Sequence, residues 1–113
     1  TAEECYADRH NRRAEWYDMI SDYNFEDPGL LGSEIFKQYD IYCGLRNIRE
    51  WRKMKADNTY DFCIWVDRSA HLPPEDASSM SLTKDCADYV LDNNSSIDEL
   101  HVKLKQLIDS IKP

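Results

Sequence analysis

The chain has 113 residues, a formal net charge of −8 and a pI near 4.7, with 42% apolar and 12% aromatic residues. That length suits one domain, residues 1–113; the apolar content excludes a disordered chain, and the acidity argues against nucleic-acid or anionic-membrane binding. No run approaches the roughly eighteen apolar residues that a spanning helix needs, so no membrane insertion is expected.

In chain order, residues 2–23 read as a helix with Cys5, Tyr6, Trp16, Tyr17, Ile20 and Tyr23 on one face. Arg9 and Arg13 fall on that same face. Guanidiniums set among apolar groups must reach outward or be paired, because an unpaired buried charge is costly. They are the candidate contacts to the anionic group of a ligand. Asp27-Pro28-Gly29 is a turn.

Residues 33–56 read as one long helix whose apolar face changes midway. Ile35, Tyr39 and Tyr42 line one side, and Leu45, Ile48 and Trp51 line nearly the opposite one. The change falls at Cys43-Gly44, so a kink at Gly44 or a partner on each side is expected. Asp57-Asn58 ends the segment.

Residues 60–66, YDFCIWV, alternate like a strand at Tyr60, Phe62, Ile64 and Val66. Asn58 as a cap with Asp61 in the first turn favours a helix instead, running to about Ala70. The chain offers no second strong strand to pair with, and helix is the expectation. Residues 71–74 break the chain. Leu82, Cys86, Tyr89 and Val90 define a short helix. Ser96-Ile97-Asp98-Glu99 is a capping box. It opens a helix with a single stripe of Ile97, Leu100, Leu104, Leu107, Ile108 and Ile111.

The four cysteines, Cys5, Cys43, Cys63 and Cys86, contain no C-x-x-C pair, and the histidines are scattered. That spacing does not suggest a metal site. Two disulfides are the expectation, each stabilising by about 2–4 kcal/mol. Helix heights favour Cys63–Cys86 with Cys5–Cys43, although all three pairings stay open. An N-terminal Thr1 in place of Met, and candidate glycosylation sequons at Asn93 and Asn94, agree with a secreted or extracellular glycoprotein. The expected fold is all-α: a four- to five-helix antiparallel bundle cross-linked by two disulfides.

Charge is unevenly placed. Residues 1–40 hold four basic and ten acidic side chains, 41–55 five and one, and 56–113 five and eleven. Positive charge near a helix C-terminus offsets the helix dipole, but the density of RNIREWRKMK, residues 46–55, suggests more. Arg46, Arg49 and Lys53 form one stripe, with Trp51, Arg52 and Lys55 beside it. Trp and Arg are enriched at binding hot spots, and a basic stripe steers acidic partners. The sequence therefore reads as a non-catalytic protein-binding module for a partner with an acidic surface or sulfated glycan.

The alternative is a small carrier for an apolar or amphipathic ligand inside the bundle. Trp16, Tyr17, Tyr39, Tyr42, Phe62 and Trp65 would line the cavity, with Arg9 and Arg13 at its mouth. No enzyme is expected, and no cofactor or metal. There is no phosphate loop, G-x-S-x-G or H-E-x-x-H. Catalysis by acidic residues would require a cleft with two converging carboxylates.

Overall fold

A computed structural model describes residues 1–111. Their contacts separate two units: Thr1–Asp61 with Glu75–Leu82, and Phe62–Pro74 with residues 83–111. The element order overturns the all-α expectation. Five α-helices accompany a two-stranded parallel sheet among the described residues.

In the first unit, helix α1 spans Ala2–Ala7, where the Thr1 side chain accepts from the Glu4 amide and Glu3 and Glu4 face the dipole's positive end. The expected single helix over 2–23 is interrupted by a 3-10 turn at Arg9–Asn11 before α2, Arg13–Tyr23. Local polar side chains cause the break. Asp8 accepts from the Asn11 amide group and from the Arg12 guanidinium, and Arg9 donates to the Tyr6 carbonyl while stacking over its ring.

The turn at Asp27-Pro28-Gly29 forms, with the Asp27 carboxylate accepting from the Gly29 amide. It leads into α3, Leu30–Phe36, whose Leu31 amide donates to the buried Asn24 side chain. The long helix expected over 33–56 is instead two helices. Between α3 and α4, Ile48–Ala56, the chain leaves helical geometry, and Gly44 adopts a φ of +91°, a region that favours glycine. Asn47 then starts α4 by accepting from the Arg49 and Glu50 amides. The face switch in the sequence thus marks a break rather than a kink.

Helix α4 ends in a Schellman arrangement. Asn58 has φ of +53°, the Asn58 amide donates to Lys55 and the Thr59 amide donates to Met54. Helices α3 and α4 meet closely because Gly32 has no side chain. A Cβ there would lie 2.6 Å from the Met54 Sδ and Cε. Met54, 1% exposed, and Leu82 are the buried hydrophobic residues of this unit.

In the second unit, β1, Ile64–Asp67, pairs in parallel with β2, Tyr89–Asp92, in the register Ile64↔Tyr89 to Asp67↔Asp92. Helix is the sequence expectation for both segments, and the structure replaces it with strand. Their β-branched and aromatic side chains suit a pleated surface, and the helical spacing of Leu82, Cys86, Tyr89 and Val90 is coincidental: Cys86 closes a 3-10 turn and Tyr89 opens the strand. Two anchors hold the register. The Asp88 carboxylate accepts from the Cys63 amide, and the Cys63 carbonyl accepts from Asp88 and Tyr89. Lys84 pairs with Asp67 at 2.5 Å and, with bonds from Ser69, holds that carboxyl well below the usual range.

Helix α5, Ile97–Ile111, packs on β2 as its apolar stripe predicts. The Glu99 amide donates to Ser96, one half of the expected capping box. Lys103 reaches back to Asp92 at 2.8 Å.

The two expected disulfides are not formed: no two of Cys5, Cys43, Cys63 and Cys86 lie at bonding distance. The expected pairing assumed helices that place the sulfurs at matching heights, and those helices do not exist. Cys63 precedes β1, Cys86 lies in a 3-10 turn, Cys43 lies between α3 and α4, and Cys5 is exposed on α1. The Asn94 side chain, a candidate glycosylation site, donates to Asp92 and accepts from the Ala70 amide. The neighbouring Asn93 is half-buried, with its carbonyl accepting from Arg68.

Candidate functional site

A cleft of about 220 Å³ opens in the first unit, between α2 and the segment that leads into α4. Trp16, Tyr17 and Ile20, on one face of α2, supply an aromatic and apolar wall. Cys43, Gly44, Asn47 and Glu50 line the other side. Arg9, Arg13 and Arg46 bring three positive charges to it.

The walls are fixed by hydrogen bonds. Asn47, while capping α4, donates from its side chain to Tyr17 at 3.0 Å and to Ser21 at 3.3 Å, tying α4 to α2. Ser81 accepts from the Ile48 amide at 2.8 Å, and its own amide donates to the Arg46 carbonyl. The α4 N-terminus is thus satisfied by the chain's own groups.

Two of these arginines, Arg13 and Arg46, share one carboxylate. Glu75 Oε1 lies 3.2 Å from Arg13 Nη1, and Glu75 Oε2 pairs with Arg46. All three side chains are roughly one-quarter exposed, at 26%, 24% and 29% for Arg13, Arg46 and Glu75. Burial and the neighbouring Arg13 charge push the Arg46 guanidinium below its ordinary value. Two like charges are brought together here, and a bridging anion relieves their repulsion.

The polar floor carries a second carboxylate. Glu50, 3% exposed, accepts from the Tyr42 hydroxyl at 2.6 Å. Burial raises its pKa, and the Tyr42 bond partly offsets that. Burial, together with the bond to Glu50, also raises the pKa of Tyr42. An acid whose folded pKa is raised holds a proton that the unfolded chain releases. Its contribution to stability is full below the unfolded value of about 4.3 and is lost as pH rises through the folded value. Glu50→Gln keeps an acceptor for Tyr42 and removes the buried charge. Thermal unfolding between about pH 4 and 7 should show a flatter profile for this variant, with higher stability than the parent at pH 7. An unchanged profile would show that Glu50 is not desolvated.

The basic decapeptide does not present one stripe. Arg46 precedes α4 and turns to Glu75, while Lys53 pairs with Asp57 at 2.9 Å. Arg49 and Arg52 are exposed. Lys55 sits 5.0 Å over the Trp51 ring, and Trp51 is half-buried with its indole N–H buried and unbonded among the described residues. Of the aromatics expected around a cavity, Trp16 and Tyr17 line the cleft, Tyr42 bonds Glu50, and Tyr39 is exposed. Phe62 and Trp65 belong to the other unit, where Phe62 meets Tyr89 with centroids 5.9 Å apart.

Sequence reasoning did not identify Glu75, which sits in a polar loop, or the Arg46 role. A lone glutamate after two prolines carries no signal of what it binds. Among the described residues, no group of three or more His, Cys, Asp or Glu side chains is placed to hold a metal ion, and no helix is long and apolar enough to cross a membrane. Comparison with family models, curated proteins and solved structures finds no match for the chain.

Proposed function

We propose that the protein is a non-catalytic binding module that takes a small amphipathic anion in the cleft of its first unit. The observation that carries this reading is the convergence of Arg13 and Arg46 beside the Trp16 and Tyr17 wall. A paired cationic clamp recognises a carboxylate or similar anion, and an adjacent aromatic face takes an apolar body. At about 220 Å³ the cleft is smaller than a drug-sized pocket of roughly 300–1,000 Å³, which limits the ligand to a compact molecule. Docking of an acidic partner on the decapeptide is the weaker reading, because Arg46 lies in the cleft, ahead of α4, and Lys53 pairs with Asp57, which leaves no continuous basic stripe.

Phenylacetate and its neutral counterpart phenylacetamide test the proposal. Nuclear magnetic resonance titration should show saturable shifts of the Trp16 indole signal with phenylacetate, at a Kd below about 1 mM, and at least tenfold weaker binding of the amide. Equal binding of the two, or no saturable shift, would refute a charge-reading cleft.

A further inference from the structure

Resting on that reading of the cleft, we infer that Glu75 is an internal stand-in for the ligand's carboxylate, and that an external carboxylate binds by displacing it from Arg13 and Arg46.

The geometry shows what the clamp accepts. The two oxygens of one carboxylate each meet a different guanidinium. An incoming carboxylate at that place would make the same two charge-assisted contacts. The clamp is therefore already formed, and binding exchanges one anion for another instead of building a site.

The surrounding chain allows the exchange. Residues 76–78 are exposed, and residues 76–79 form a turn closed on itself: Asp76 accepts from the Ser78 amide through its side chain and from the Ser79 amide through its carbonyl. Ser79 and Leu82 are buried, and Ser81 is bonded to Arg46 and Ile48, so the far end of the segment stays anchored. Glu75 can leave the arginines at the cost of its two ion pairs without pulling Ser81 off the α4 N-terminus. An incoming carboxylate makes the same two contacts that Glu75 gives up, so the exchange loses no ion pair overall and the latch is one that a ligand can open. A tethered competitor lowers the apparent affinity in proportion to the time it occupies the site.

Calorimetric titration of the full chain with phenylacetate tests the inference. Glu75→Gln removes the competing charge and should bind about tenfold more tightly than the parent, as expected if Glu75 holds the clamp about nine-tenths of the time. Glu75→Gln leaves two arginines without their carboxylate, so a second readout uses the unmodified chain. The side-chain carboxyl carbon of Glu75 should shift on saturation with phenylacetate, reporting its release. Equal affinity of parent and Glu75→Gln, or a Glu75 carboxyl signal that does not move while the ligand binds, would overturn the inference and leave the cleft reading intact. Absence of binding in both proteins would overturn both.

Discussion

Replacing Met54 with alanine should lower the stability of the first unit by about 2–5 kcal/mol, the cost of truncating a large buried side chain to alanine. Met54 is 1% exposed and fills the space that Gly32 leaves between α3 and α4. Burial elsewhere in the unit is thin: Tyr6, Met19, Phe25, Tyr39 and Ile41 are all exposed. A domain of this size has only about 5–15 kcal/mol in total, so the loss is a large share of it. Urea unfolding followed by tryptophan fluorescence measures the effect. Met19→Ala, at a position 60% exposed, should stay within about 0.5 kcal/mol of the parent. Equal small losses for the two variants would show that α3 and α4 do not dock through Met54.

Arg46→Met should weaken phenylacetate binding by about 10- to 100-fold, the loss of one charge-assisted contact of roughly 1.5–3 kcal/mol. Arg49→Met should leave that affinity unchanged, because Arg49 is exposed and does not line the cleft. This comparison separates two accounts of the same basic segment. A continuous basic stripe makes Arg46 and Arg49 equivalent, whereas a cleft that recruits Arg46 alone makes them differ. Isothermal titration of both variants with phenylacetate decides it, and equal losses would return the argument to the stripe.

Where the sequence was legible, one local pattern dominated. Helix α5 follows directly from its single stripe and from Ser96, because capping and amphipathicity act within a few residues. The charges at Arg9 and Arg13 were conspicuous because they interrupt an apolar face, and the structure places both residues on the cleft. The division of residues 33–56 was visible as a switch of face at Cys43-Gly44, though its cause, the Asn47 cap beyond a left-handed glycine, required the backbone.

The failures share one origin, which is pairing between distant segments. Strands β1 and β2 are four residues each and support one another across a long connection. Neither could be recognised alone, and a capping signal at Asn58 outweighed the alternation in 60–66. In fact Asn58 terminates α4 with a positive φ and begins no helix. The disulfide expectation followed from counting cysteines, and the backbone does not bring the four into bonded pairs. The Arg13–Glu75–Arg46 contact joins three separate stretches of the chain, a relation that helical spacing cannot express.

In the proposed complex, Arg13 and Arg46 orient an anion-bearing ligand against the α2 wall. Intermolecular nuclear Overhauser effects from phenylacetate bound to the unmodified chain test it most directly. Contacts are expected from the ring protons to Trp16 and Tyr17, and none to Arg52 or Lys55. Ring contacts confined to the Trp51–Lys55 face of α4, with Trp16 and Tyr17 silent, would contradict it.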